Sequence, residues 1–127
     1  AADVPGVGAE GWREAQALFD ELGMRAGRPW VMLSAGAGMK AFRNVLTHAY
    51  QAGASGYLAG RAIWLEAFQA FPDWDAIRNG LQRDAIPYMR ELNGLTDVHA
   101  TPWTAHERHA DLDLPGGAAF RETYPGF

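Results

Sequence analysis

The residues with the clearest chemical potential form a short stretch of small side chains, Ser34-Ala35-Gly36-Ala37-Gly38, between an apolar run and a helix-like pattern. Small side chains let an anion approach the backbone closely. The first turn of a helix also leaves N–H groups without partners at the positive end of its dipole. This pattern predicts an anion-binding loop at Ser34, Ala35 and Gly36, although a tight strand-to-helix turn without a ligand has the same composition.

A second candidate follows the next predicted strand, at Gly60 and Arg61. Gly60 leaves space, and Arg61 offers a planar fork of N–H donors that suits phosphate or sulfonate oxygens. Taken alone, Arg61 is better explained as a surface cation or as part of a structural ion pair. Both candidate loops lie at the carboxyl ends of consecutive parallel strands, where α/β sheets and barrels bind ligands. The placement therefore favours one shared anion site.

Lys40 is the single lysine of the sequence and lies close to the first loop. An amine that forms a Schiff base needs a desolvated position in which it can lose its proton. Helical spacing instead places Lys40 on a polar, solvated face together with Arg43, Asn44, Thr47 and Gln51. We therefore do not expect Lys40 to be a catalyst.

The histidines offer a weaker signal for a metal site. His99, His106 and His109, with Glu107, fall close together near the carboxyl end. No closed ligand set is visible in their spacing, so we expect solvated side chains and no metal. His48 falls on the polar side of its helix and is expected to be exposed. The sequence shows no Ser-His-Asp motif, Walker loop or dinucleotide fingerprint, and no cofactor is expected.

The elements that position these residues follow from hydrophobic spacing and from breakers. Short apolar runs predict a strand at 29–34, buried on both faces, and a strand at Tyr57–Ala59. The predicted helices are 11–22, closed by Gly23; 39–52; one from Ala62 that ends at Pro72; and one capped by Asp73 that is interrupted at Pro87 and ended by Gly94. The tail beyond Leu95 is predicted to hold one short helix near Thr101–Leu112.

Composition sets the limits of this fold. The 127 residues are 48% hydrophobic and 20% charged, which is typical of a globular chain. The five tryptophans fall at helical spacing and are expected to pack in the core. Two short strands between helices predict an α/β protein with parallel pairing, but two strands alone make a marginal sheet. We therefore expect a fragment of a longer α/β chain, completed by further sequence or by another copy.

Charge and hydropathy exclude some function classes. The net charge is −4, so the chain has no overall attraction for nucleic acid or anionic lipid. No apolar run reaches the length of about 18 residues that spans a bilayer. Cysteine is absent, which excludes disulfides and a thiol nucleophile. A soluble cytoplasmic protein is expected.

The stretch "PWVMLSAGAGMKAFRNVLTHAYQAGASGYLAGRAIW" resembles class I aldolases of the tagatose-1,6-bisphosphate and sulfofructosephosphate aldolase family. The strand "VMLSAG", the helix ending "AGASG" and the strand end "GRAIW" carry the resemblance, which covers about residues 28–71 best. It implies the C-terminal part of a (β/α)8 TIM barrel over 1–94, with strands 7 and 8, followed by a tail at 95–127 that docks on the barrel or on a neighbouring subunit.

The resemblance also implies a function. Such enzymes cleave a phosphorylated ketose through a Schiff base, and Ser34, Ala35, Gly36, Gly60 and Arg61 would hold the phosphate or sulfonate end of the sugar. The family's Schiff-base lysine lies on an earlier barrel strand, and no residue here matches it. A homo-oligomer is expected. Two alternatives stay open: a non-catalytic anion-binding or assembly module, and another phosphate-binding barrel enzyme such as an isomerase.

Overall fold

The computed structural model describes residues 9–105 of the chain. Within this range, helices alternate with two short strands in the first two thirds and follow one another in the last third. In chain order the elements are α1 (Ala9–Ala26), β1 (Val31–Leu33), α2 (Met39–Gln51), β2 (Gly56–Leu58), α3 (Arg61–Phe68), α4 (Trp74–Gly80), a π-helical segment (Leu81–Ala85), α5 (Ile86–His99) and a 3-10 turn (Trp103–Ala105). This alternation confirms an α/β chain rich in helix.

The two strands are parallel and in register, with Val31 opposite Gly56 and Leu33 opposite Leu58. Met32 and Tyr57 point to the inner face of the pair and pack on the helical core. The side chains of the other face are open: Val31 is 46% exposed, Leu33 57% and Leu58 60%. The prediction that the first strand is buried on both faces is therefore wrong for this chain, because nothing in residues 9–105 covers the outer face.

The core lies between α2 and α5. It is built from Phe42, Leu46, Ala49 and Tyr50 of α2 with Tyr88 and Leu92 of α5. The Tyr88 hydroxyl donates to the Met39 carbonyl at 2.6 Å, and burial raises the pKa of Tyr88 to about 12. α2 lies beneath the two strands, where Met32 and Tyr57 pack on this core.

Two glycines do not end their helices as predicted. α1 continues through Gly23 to Ala26, and α5 runs through Gly94 to His99. At Gly23 the reason is a close approach between helices, since a Cβ there would lie 2.2 Å from the Ala52 carbonyl oxygen at the end of α2. Gly23 thus lets α1 pack tightly on α2. A division of the chain at residue 94 stays a prediction.

The breakers between α3 and α5 act largely as predicted. α3 ends before Pro72, and the Asp73 carboxylate caps α4 by accepting from the Ala76 N–H at 2.9 Å. The interruption at Pro87 takes the form of the π-helical segment immediately before it, with Pro87 in the first turn of α5. Proline lacks an N–H and clashes with the carbonyl one turn back, and the wider π-helical turn relieves that clash.

His48 is buried, not exposed as its position on α2 predicted. It is 5% exposed, and its ring lies 3.8 Å from that of Trp12 and 5.6 Å from that of Phe19, centroid to centroid. Its Nδ1 lies 2.7 Å from Oε1 of Gln16, whose amide in turn donates to Asp20. The prediction failed because α1 packs over this side of α2, which the spacing within α2 alone does not reveal.

Burial of His48 predicts acid sensitivity. Desolvation lowers the pKa of His48 below the value of an exposed histidine, and the nearby Asp20 carboxylate opposes this only in part. The unfolded chain therefore takes up the proton first, so stability is retained above about pH 6.5 and falls as the pH drops further. In thermal melts of the full-length protein between pH 8 and pH 5.5, we expect His48→Gln to flatten this loss. His99→Gln, at an exposed histidine, should leave the loss of stability unchanged. If the melting temperature fell equally steeply with pH in both variants, His48 would not be the source of the acid sensitivity.

The carboxyl-terminal region is described only in part. A single 3-10 turn at Trp103–Ala105 occupies the start of the predicted helix near Thr101–Leu112. The remainder of that helix, with His106, Glu107 and His109, lies outside the described residues. Among residues 9–105, no helix is long and apolar enough to cross a membrane.

Candidate functional site

The loop after β1 folds into a tight turn. The Ala37 N–H donates to the Ser34 carbonyl at 2.8 Å, and the two residues between them have positive φ, 49° at Ala35 and 83° at Gly36. These angles are those of a type I′ turn, which favours glycine and strains a residue with a Cβ such as Ala35. The Ser34 N–H donates to the Leu58 carbonyl at 3.1 Å, which ties this turn to the end of β2.

The loop after β2 leads directly into α3. The Gly60 carbonyl accepts from the N–H groups of Ile63 at 2.8 Å and Trp64 at 3.2 Å, which closes the first turn. Arg61 is the first residue of α3, and no acidic residue lies in that turn. A cation at the positive end of a helix is electrostatically unfavourable, and helix stability alone would favour an acid there. The arrangement therefore concentrates positive charge at this point.

The two loops meet through Arg61. A Cβ added at Gly36 would lie 3.2 Å from Nη2 and 3.3 Å from Cζ of the Arg61 guanidinium. Gly36 thus provides the space in which the Arg61 side chain lies against the first loop. The structure brings all five predicted site residues to one open cleft of about 610 Å³, lined by Leu33, Ser34, Ala35, Gly36, Leu58, Ala59, Gly60, Arg61 and Trp64.

The charge of this cleft is positive and unbalanced. None of the described residues that line it is acidic. Arg61 makes no ion pair within residues 9–105, in contrast to Arg43, which pairs with Glu91, and Arg78, which pairs with Asp75. Hydroxyl, guanidinium and indole groups supply the polar side-chain atoms, and all of them can donate. Such a set of groups suits a ligand rich in acceptor oxygens.

A family comparison matches this same part of the chain. Residues 2–66, just over half of the sequence, match the family described as DeoC/LacD family aldolase. This chain belongs to the DeoC/LacD aldolase family. The matched segment contains both loops of the cleft, Arg61 and Trp64.

Several relatives are named as aldolases, in agreement with this family assignment. The chain is 34% identical over 95 residues to tagatose 1,6-diphosphate aldolase 2 of Streptococcus mutans. The aligned residues cover 72% of this chain and 29% of that protein. The chain is 33% identical over 95 residues to the protein of the same name from Streptococcus pyogenes, and 34% identical over 94 residues to tagatose 1,6-diphosphate aldolase of Streptococcus pneumoniae. The match spans less than a third of the length of each relative.

Lys40 and the start of α2 lie outside the cleft of this aldolase-family chain. α2 begins at Met39, and none of the residues of its first turn is among those that line the cleft. The expectation that the N–H groups of this turn border the anion site is therefore not met. Lys40 is exposed, as predicted, but its face is not uniformly solvated, because Asn44 is only 8% exposed where α2 packs against other helices.

Four cleft residues were missed from the sequence. Leu33, Leu58 and Ala59 border the cleft from the strand ends, and Trp64 borders it from α3. The tryptophans were expected to pack in the core, but Trp64 is 39% exposed, and Trp74 and Trp103 are more exposed still. The available signal was the spacing of three between Arg61 and Trp64, which places both on one side of a helix.

Other groups do not form a comparable site. Among residues 9–105, no three His, Cys, Asp or Glu side chains come together as a metal site would require. A separate cavity of about 530 Å³ lies between α3, α4 and the π-helical segment. Glu66 and Asp84 border it beside Arg83, so both signs of charge are present and an anion gains no clear attraction.

Proposed function

We propose that the cleft binds the phosphate or sulfonate end of a sugar and that the chain is the anion-binding part of a class I aldolase. One observation carries this proposal: the Arg61 guanidinium lies against Gly36 at the first residue of α3, without a carboxylate partner within residues 9–105. An anion placed between Ser34 and Arg61 would balance that charge. Charge-assisted hydrogen bonds of this kind are about twice as strong as neutral ones.

The fold supports a barrel context for this site. We propose that β1 and β2 are strands 7 and 8 of a (β/α)8 barrel and that the chain is its C-terminal part. Barrels often bind phosphate in the loops after these two strands, and both loops of the cleft follow strand ends here. The open outer face with Val31, Leu33 and Leu58 is what strands of an incomplete barrel would present. The assembled protein is expected to be a homo-oligomer.

The proposed reaction is cleavage of a ketose bisphosphate, because the relatives are named tagatose 1,6-diphosphate aldolases. A lysine amine adds to the ketone carbonyl of the sugar and expels water, giving an iminium ion. The iminium accepts the electron pair of the breaking carbon–carbon bond and becomes an enamine, while a base removes the proton of the adjacent hydroxyl and the aldehyde product leaves. Protonation of the enamine carbon and hydrolysis by water then release the second product and the free lysine amine. The cleft contributes by fixing the anionic end, which holds the reacting carbons in position. Sulfofructose phosphate is a second substrate that the same cleft would accommodate.

The Schiff base can be trapped. When the full-length protein is mixed with tagatose 1,6-bisphosphate and sodium borohydride, we expect loss of activity and a covalent adduct on a lysine outside residues 1–127, located by peptide mass spectrometry. Lys40 is exposed and lies outside the cleft, so Lys40→Arg should be trapped as efficiently as the wild type. An adduct on Lys40, or no adduct at all, would refute the proposed chemistry.

A further inference from the structure

Trp64 borders the cleft together with Arg61. Trp64 lies three residues after Arg61, on the same side of α3, and lines the cleft with it. A Cβ added at Gly60 would lie 3.5 Å from Nε1 of Trp64. The absence of a side chain at Gly60 therefore leaves space beside the indole nitrogen at the edge of the cleft.

This N–H has no acceptor within residues 9–105. Buried tyrosine and tryptophan side chains usually place their polar group against a partner, whereas Trp64 is 39% exposed and leaves its N–H free for a ligand or for water. The ring itself packs edge-on against Phe68, with centroids 5.4 Å apart. A phenylalanine would make the same apolar contact, so packing alone does not account for an indole donor in a cleft that lacks carboxylates.

We propose that the Trp64 N–H donates a hydrogen bond to the anionic group in the cleft and makes the site prefer a phosphate monoester to a sulfonate. This proposal rests on the proposed anion-binding function. Arg61 contributes one positive charge and the start of α3 about half a charge. A phosphate monoester carries about −1.5 to −2 at pH 7, and a sulfonate carries a single negative charge. An added donor therefore strengthens phosphate binding more than sulfonate binding.

The rest of the ligand is constrained by the apolar part of the cleft. Leu33 and Leu58 are exposed on the side of the cleft formed by the strands. A carbon chain attached to the anion can lie along these side chains and remove their apolar surface from water. The preferred ligand class is therefore an organic phosphate monoester with a short carbon chain.

Binding measurements on the full-length protein test this inference. Titration calorimetry would compare wild type, Trp64→Phe and Arg61→Ala, with glycerol 3-phosphate and 3-hydroxypropane-1-sulfonate as probes. Trp64→Phe keeps an aromatic ring and removes the donor, so we expect affinity for the phosphate to fall about tenfold or more and affinity for the sulfonate to fall by a smaller factor. Trp74→Phe, at an exposed tryptophan outside the cleft, should change neither affinity.

The outcomes separate this inference from the proposed function. Unchanged phosphate affinity in Trp64→Phe, with weakened binding in Arg61→Ala, would overturn the role of Trp64 and leave the anion site intact. Equal losses for both probes would overturn the preference for phosphate. No binding of either probe to the wild type would overturn both proposals. In the wild type, a shift of the Trp64 indole proton resonance upon addition of glycerol 3-phosphate gives an independent test that needs no stable variant.

Discussion

Phe42→Ala is expected to lower the free energy of unfolding by about 3–5 kcal/mol, the usual range for removing a fully buried phenylalanine. Phe42 has no exposed surface and lies in the core cluster of α2 and α5. Its ring is 6.1 Å from that of Tyr57, on the inner face of β2. The alanine variant would leave a cavity directly beneath the strands that carry both cleft loops. We therefore expect weaker binding of glycerol 3-phosphate as well as lower stability.

Urea denaturation of the full-length protein measures the loss. Phe42→Leu keeps much of the buried apolar volume and should lose considerably less than the alanine variant. Phe71→Ala makes the same chemical change at a side chain that is 65% exposed, and should stay within about 0.5 kcal/mol of the wild type. If Phe71→Ala cost as much as Phe42→Ala, the core would not be where the structure places it.

The parts of the fold that the sequence predicts well are those set by local pattern. The apolar run before Ser34 and the short run before Gly60 each became a strand, because β-branched and large apolar residues between breakers favour extended backbone. The parallel order of strands with an intervening helix requires both strand ends to lie at the same edge. That topology, together with residue chemistry, is why the sequence associates Arg61 with Ser34.

The predictions for His48 and Gly23 were wrong because of contacts between distant segments of the chain. His48 is covered by α1, some 30 residues earlier in the chain, as its hydrogen bond with Gln16 shows. Gly23 is helical because α1 packs closely on the end of α2. The spacing of residues within one helix contains no information about which neighbouring helix will cover it.

Trp64 shows a different limit of sequence reasoning. Its position three residues before Ala67 and four before Phe68 fits an inward-facing helical stripe, yet Trp64 and Phe68 both remain more than a third exposed. α3 is a helix of eight residues that carries apolar side chains on more than one side. For such a helix, periodicity does not distinguish the side that faces the core from the side that borders a ligand cleft.

Arg61→Ala is expected to weaken binding of glycerol 3-phosphate roughly 10- to 150-fold, the loss that corresponds to about 1.5–3 kcal/mol for a hydrogen bond to a charged group. The physical reason is the contact of the two loops, because the Arg61 guanidinium is the group that extends from α3 to Gly36. In the full-length protein, the value of kcat/KM for tagatose 1,6-bisphosphate should fall by a similar factor, since fixing the anionic end also stabilises the transition state.

Matched variants separate the geometry of Arg61 from its charge. Arg61→Lys keeps the charge but loses the planar fork, so its affinity should lie between those of the wild type and Arg61→Ala. Arg78→Ala removes an equally charged side chain that pairs with Asp75 on the surface of α4, and should leave binding unchanged. Raising the ionic strength should weaken phosphate binding more in the wild type than in Arg61→Ala, because screening acts on the charge that the variant lacks. If Arg61→Ala and Arg78→Ala lost affinity equally, a diffuse positive surface would explain the binding better than a cleft built around Gly36.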